Sequence, residues 1–544
     1  MEKYDILLTN CTIADVRNLR FYNADIGIKD GIITAIGSNL GKGRDCGGAY
    51  ALPGFIDAHT HIESSLLSPV RFAEAVLPCG TTTVIADPHE IANVCGMQGV
   101  DYMISQAAKS QMDIKIMMPS CVPASPAERS GAILNAECVS RAMLREDIFG
   151  LGEMMNFPAV LSNDREVMSK IESARRAGKP IDGHYPLGKG ESLRAYIKAG
   201  ITSDHESESV EEALEKTACG MDIFIREGSA GKQLAAVLPA VGEDNFRAFS
   251  LCTDDCNAAD IIARGHINWI VAKAIGLGMS PIRAIAMATL NPCLHYNLHN
   301  IGVIEVGAHA DILLVNNLKD MRPYEVYKRG IAVARGGKII NFALPDVCKE
   351  VSDTIHMPLL TPNKLKLKGA AERIGIAIIP GSLITKTVDA EECDSKLCVI
   401  NRYSGKGDVG VCKLKGYGVK GGAVALSVSH DSHNIVCAGD NDMDMCMAVN
   451  ALRASGGGMC AVGGRIGAIL ELPVAGLMSN ESAQSVADKL DNLNGFCRER
   501  LGINPKLEPV MSLSFLALTV IPHIKLTDRG LFDVDNFTLY PDRV

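Results

Sequence analysis

Apolar and polar positions divide the chain into stretches of different period. Near the N-terminus short runs alternate with a period of two: Asp5 to Thr12, then Ala24 to Lys29 and Gly31 to Ile36, which meet at Asp30-Gly31. Such alternation belongs to half-buried strands, and Asp-Gly between two runs predicts a hairpin. The pattern returns at Asp311 to Val315, and at Ala332 to Arg335 and Lys338 to Phe342 around Gly336-Gly337. These two segments predict one small β domain with another domain inserted into it.

The insertion has its own rhythm. Apolar runs near 52–58, 82–87, 114–118, 148–152, 180–183, 200–203, 221–225 and 248–252 alternate with helical patterns such as Pro69 to Leu77, Asp164 to Ala177, Glu208 to Ala218 and Asn257 to Ala274. Repeated strand-helix units at this spacing predict parallel strands, and eight of them predict a (β/α)8 barrel. Periodicity then lapses over 346–365, a predicted linker. Residues 366–544 read as an α+β domain, with strands at Gly375 to Ile379 and Ala423 to Ser427 and a helix from Asp442 to Ala454 ending in Gly456-Gly457-Gly458. The predicted fold is therefore α/β. A TIM-like barrel over 53–299 is inserted in a small β-sandwich made of 1–52 and 300–345, and a C-terminal α+β domain follows.

Composition narrows the function. With 544 residues, 47% of them apolar, the chain can bury large cores, and global disorder is excluded. Acidic residues outnumber basic ones, 63 to 54, and only one Trp is present, so no nucleic-acid or anionic-membrane partner is expected. The longest apolar stretch, Pro509 to Ile524, is too short to span a bilayer and is interrupted by proline. The 18 cysteines contain no C-x-x-C pair, and MEKYDILLTN does not resemble a signal peptide. Reduced core thiols and a cytoplasmic location are the expectation.

In a (β/α)8 barrel the reacting groups lie at the C-terminal ends of the strands. Here those ends carry Asp57-Ala58-His59-Thr60-His61-Ile62-Glu63, Asp87-Pro88-His89-Glu90, Glu153, Asp182-Gly183-His184, Asp204-His205-Glu206, Arg226-Glu227-Gly228-Ser229 and Thr253-Asp254-Asp255. Five of the 13 histidines collect at one rim among carboxylates, the donor set of a divalent metal site. Residues two apart on a strand share a face, so His59 and His61 can reach one ion, joined by His184, His205 and Asp254. Glu153, with two oxygens, can ligate or bridge. His89 reads as a neighbour supporting the ligands, Glu90 as a ligand or an acid–base group, and Asp255 as a solvated or supporting carboxylate. His266, His295, His299 and His309 read as structural. His430-Asp431-Ser432-His433 reads as a loop-ordering cluster that could instead bind a metal or reach the barrel mouth, and the triple glycine reads as a turn.

Pro53-Gly54-Phe55-Ile56-Asp57-Ala58-His59-Thr60-His61 resembles the first-strand signature of the amidohydrolase superfamily, and 302–312 is similar to the segment that returns such chains to their β-sandwich. His61-Ile62-Glu63-Ser64-Ser65, Asp87-Pro88-His89-Glu90-Ile91, Glu153-Met154-Met155-Asn156, Asp182-Gly183-His184, Arg226-Glu227-Gly228-Ser229, Cys252-Thr253-Asp254-Asp255, His430-Asp431-Ser432-His433-Asn434 and the 521–528 segment resemble the bacterial adenine deaminase family. This resemblance implies hydrolysis of adenine to hypoxanthine and ammonia by attack of a metal-bound hydroxide on C6. It implies two divalent ions, manganese or iron with zinc as the alternative; a homo-oligomer, a dimer, is expected because barrel proteins with β domains often self-associate. Carried over by motif, His59, His61 and Asp254 hold one metal and His184 and His205 the other. The carboxylated lysine of many superfamily members is absent from the fourth strand, so Glu153 is the expected bridge, and Glu90 can complete one ion's shell. Asp254 is the expected proton acceptor, Glu90 or a rim histidine such as His205 the proton donor to the ring, and Glu63, Ser64 and Arg226 the residues nearest the substrate. A cyclic amide hydrolase of the dihydroorotase or hydantoinase type, and a metal-binding homologue without turnover, are the alternatives.

Overall fold

The computed structural model of the chain describes residues 3–125, 127–344 and 349–541. The first residues of the predicted linker, 346–348, and the ends of two predicted domains, 345 and 542–544, lie outside the described residues. Eight strands form the predicted parallel barrel: Phe55–Thr60, Thr81–Ala86, Asp113–Met118, Gly150–Met154, Ile181–Gly183, Ser203–Asp204, Asp222–Arg226 and Phe249–Cys252. The first five pair in one parallel ladder and the last three in another. Two short links close the ring. Thr202 N–H donates to Ile181 O at 3.3 Å, and Asp254 N–H donates to His59 O at 3.0 Å.

Helices cover the strands where the sequence supplies caps. Asp164 accepts from the N–H groups of Glu166 and Val167 to start Arg165–Arg176, and Ser209 caps Val210–Ala218. The single helix expected over Asn257 to Ala274 is two, Ala258–Arg264 and Ile267–Gly276. Gly265 separates them at φ +106°, a conformation that ends a right-handed helix and suits only glycine.

The outer strands pair as one nine-stranded sheet, in which Ile312–Val315 runs antiparallel to Tyr50–Pro53. The apolar run at 52–58 thus serves two sheets. Tyr50–Pro53 joins the outer one and Phe55–Thr60 the barrel, with Gly54 between them. A Cβ at Gly54 would collide with the side chain of Thr82, so the chain passes there only as glycine. The strand Pro323–Lys328, between Ile312–Val315 and Ile331–Arg335, escaped the period-two reading. In the C-terminal part an eight-stranded, mostly antiparallel sheet packs against the helices Asp442–Ser455 and Ala483–Glu499. Arg129, on the loop after the third barrel strand, ties this domain to the barrel through Asp408 at 2.5 Å and Asp528 at 3.1 Å.

Asp57 is fully buried and fastens the eighth strand's end to the first. Its carboxyl accepts from Thr253 N–H at 3.0 Å and Thr253 Oγ1–H at 2.6 Å. Burial pushes this carboxyl up to about 7. Asp57→Ala removes both acceptors, leaving Thr253 N–H buried without a partner and its hydroxyl with only Thr60 Oγ1 at 3.0 Å. It is expected to destabilise the fold by about 2–4 kcal/mol, read as a lower denaturant midpoint.

Candidate active site

Several barrel strands deliver polar side chains to the same mouth. His59 lies on the first strand and His61 one residue beyond it. Their Nε2 atoms face each other 3.2 Å apart. His61 Nδ1 meets the Asp87 carbonyl at 2.9 Å, so its proton sits on Nδ1 and the Nε2 lone pair points into the mouth. Glu153 lies inside the fourth strand, not just after it. Its Oε1 is 3.3 Å from His61 Nε2, and its Oε2 is 2.8 Å from His184 Nδ1 and 3.2 Å from His205 Nε2. Asp254 Oδ1 stands 3.2 Å from His61 Nε2 and 3.7 Å from His59 Nε2.

Ligand atoms of His59, His61 and Glu153, of His59, His205 and Asp254, and of Glu153, His184 and His205 thus lie within 4.8 Å of one another in three overlapping groups. All the metal ligands expected from the sequence other than Glu90 meet here. Imidazole nitrogens and carboxylate oxygens crowded this closely, with His59 Nε2 and His61 Nε2 3.2 Å apart, are a donor set that fits divalent metal binding. Burial raises the Glu153 carboxyl, but His205 and His184 outweigh it and hold the group well below the carboxylate range. Asp254 is likewise raised by burial and pulled well below that range by His61 and Arg226. Both carboxylates are anionic at neutral pH.

Supporting contacts fix these side chains. Glu153 N–H donates to Asp87 Oδ2 at 2.8 Å. Tyr196 donates its hydroxyl to Met154 O at 2.7 Å and accepts from His184 N–H at 3.0 Å. His89 stands beside them, Nδ1 3.4 Å from Glu153 Oε1 and Nε2 3.5 Å from Glu90 Oε1. Glu90 itself turns toward the C-terminal domain, where His430 Nδ1 lies 2.6 Å from Oε1 and His433 Nε2 bonds Oε2. The histidines read as loop-ordering therefore reach the barrel mouth.

The three residues expected nearest the substrate already have protein partners. Arg226 donates to Glu206 at 2.5 and 2.9 Å, to Asp254 Oδ2 at 2.9 Å and to Gln233 Oε1 at 2.9 Å. Ser64 Oγ–H donates to Asp255 Oδ1 at 2.5 Å. Glu63 Oε1 accepts from Ile91 N–H at 3.1 Å, while its Oε2 is buried without a partner. Burial pushes the Glu63 carboxyl up to about 7. A cavity of about 440 Å³ opens beside Ser64, Asp255 and His430, with Phe515 and Leu383 from the C-terminal domain on its walls. Glu206 and Asp87 carry supporting roles that sequence reasoning did not assign, although both adjoin rim histidines in the motifs that drew notice. His266, expected to be structural, packs in the interior against Thr81 at 2.9 Å, and His295 pairs with Asp222 at 2.7 Å.

Comparison with known proteins agrees with this geometry. The sequence model of the amidohydrolase family matches residues 50–339, and that of the adenine deaminase C-terminal domain matches 382–538. The chain is 42% identical to adenine deaminase 2 of Desulfotalea psychrophila over 557 aligned residues, covering 98% of this chain and 96% of that one. It is 43% identical to the adenine deaminase of Nitratidesulfovibrio vulgaris strain DP4, with 98% and 96% covered. It is 40% identical to that of Clostridium acetobutylicum, with 99% and 97% covered. With a metal-ligating barrel and this C-terminal domain in one chain, the protein belongs to the adenine deaminase family of amidohydrolases.

Proposed function

We propose that the barrel mouth hydrolyses adenine at C6, consuming water and releasing hypoxanthine and ammonia. The observation that supports this reading most strongly is the double imidazole cluster sharing the Glu153 carboxylate, in a chain similar to adenine deaminases from end to end. On this reading His59, His61 and Asp254 would hold one divalent ion, His184 and His205 a second, and Glu153 would be shared between them. Manganese or iron is the proposed metal, with zinc as the alternative. Bound there, such ions supply Lewis acidity, lowering the pKa of a coordinated water from 15.7 toward about 7.

The chain's own groups then divide the proton work. Asp254 Oδ2 is held by Arg226, which leaves Oδ1, the oxygen facing the histidines, to take the proton of the attacking water and pass it to the leaving amine. The proton that the purine ring nitrogen gains during attack is drawn from a rim imidazole, His89 Nε2 being 3.5 Å from Glu90 Oε1, and passes through the Glu90 carboxylate at the edge of the mouth; His205 stacks on His59 with 4.2 Å between rings. Glu63 Oε2, buried and free, is the acceptor proposed for a ring or amine N–H of the substrate. Ser64 and Arg226 act through Asp255 and Asp254. The proposed domain limits are 1–52 with 300–345, 53–299 and 366–544, joined by 346–365.

No helix among the described residues is long and apolar enough to cross a membrane. The cysteines among them are free thiols, many in the core, which suits the cytoplasmic location we propose. A homodimer is the proposed assembly, testable by light scattering.

The deciding assay follows adenine loss and ammonia release by the purified, metal-analysed protein with manganese added. Adenine turnover is expected, together with its loss on chelation and its return with manganese. Hydrolysis of 5,6-dihydropyrimidines without ammonia from adenine would replace this reading with that of a cyclic amide hydrolase.

A further inference from the structure

One turn of the C-terminal domain enters the barrel mouth. It follows the strand Ala423–Leu426, precedes Ile435–Gly439, and carries His430 and His433. Both hydrogen bonds to the Glu90 carboxylate among the described residues come from this turn, although Glu90 lies 340 positions away on the helix that follows the second barrel strand.

The two rings act through different nitrogens. Ser429 N–H donates to His433 Nδ1 at 3.1 Å, which places the ring proton on Nε2 and directs it to Glu90 Oε2. With one nitrogen accepting from the backbone and the other donating to a carboxylate, His433 has no lone pair left for a metal. At 1% exposure it has no surface to offer a substrate either. His430 uses Nδ1, and its ring lies flat on Phe515, with centroids 4.7 Å apart at 6°. Burial pushes the His433 ring down to about 4, in keeping with a neutral donor.

We propose that His433 and His430 are positioning residues that hold the Glu90 carboxylate from across the domain boundary, so that the C-terminal domain completes the active site of the barrel. A glutamate at the start of a short helix has three freely turning side-chain bonds. Two donors from this turn fix it in one orientation, and groups supporting a reacting side chain in this way are worth about 10- to 100-fold when removed. The inference rests on the acid–base role of Glu90 in the proposed deamination.

The test uses the full chain with manganese. His433→Leu is expected to lower kcat for adenine about 10- to 100-fold with KM and metal content unchanged. The geometry also dictates which amide rescues. Glutamine places its amide nitrogen near the site of a histidine Nε2, and asparagine near that of Nδ1. His433→Gln is therefore expected to recover most of the loss and His433→Asn little of it. At position 430 the order reverses, with His430→Asn the better. Glu90→Gln alone is expected to impair turnover, and adding His433→Leu to it to bring no further loss, the sign of two residues acting as one.

Wild-type kcat in folded His433→Leu, equal activity of the glutamine and asparagine variants, or multiplying losses in the double variant would each overturn the proposal. If His433→Leu melts, the comparison of glutamine with asparagine decides alone, since the two share chemistry and differ in reach. Full turnover in Glu90→Gln would instead remove the role of Glu90, and the positioning with it.

Discussion

Asp254→Asn is expected to lower adenine turnover at least about a hundredfold while the barrel stays folded. The fold survives because Asp254 does its structural work through its backbone. Its N–H donates to His59 O and its carbonyl accepts from His61 N–H, which together close the first strand onto the eighth. Its φ is +58°, a left-handed conformation that most residues resist, but asparagine adopts it as readily as aspartate does. The amide also keeps an oxygen for Arg226. What it loses is charge and basicity at Oδ1, 3.2 Å from His61 Nε2, where the proton of the attacking water is proposed to go. General acid–base catalysis is worth about 10²- to 10⁴-fold, so the loss lies in kcat far more than in KM. Steady-state kinetics with circular dichroism checks this. A folded variant with near-normal kcat would remove Asp254 from the proton path.

How much of this was legible depends on what each feature leaves in the sequence. The barrel was, because β-branched runs such as 81–86 recur between amphipathic helices, and burial on both faces of a parallel strand demands such runs. The cluster at the strand ends was, because strand geometry and the barrel rule fix where His59, His61, Glu153, His184, His205 and Asp254 point. The helix break at Gly265 was not, since one glycine inside an amphipathic pattern reads as a tolerated defect until its φ is known. The strand Pro323–Lys328 was obscured by its leading proline and by burial of nearly every residue, which erases the alternation. The occupancy of Arg226 by Glu206, and the reach of His430 and His433 to Glu90, are tertiary facts. Nothing in the local pattern of a turn near residue 430 states which surface a separate domain will face.

Glu153→Gln is expected to abolish adenine turnover to about a thousandth or less and to strip metal from the purified protein, since bound cations supply several kcal/mol of transition-state stabilisation, and 1.36 kcal/mol is tenfold in rate. Four imidazoles converge on this carboxylate. His61 and His89 face Oε1 at 3.3 and 3.4 Å, and His184 and His205 face Oε2 at 2.8 and 3.2 Å. An amide keeps the shape but presents one weak oxygen donor and one N–H pair, so it can serve one cation at most and repels the other. The backbone at this point does not depend on the carboxylate. Glu153 N–H is held by Asp87 Oδ2, and its carbonyl accepts from Ser120 Oγ–H at 2.5 Å. A misfolded strand is therefore not the expected cause of any loss. Asp254→Asn and Glu153→Gln should separate by elemental analysis, the first retaining more metal than the second because it leaves the shared carboxylate in place. A Glu153→Gln protein that purified with the wild-type metal content and turned over adenine would show that the two histidine clusters are not joined through this side chain.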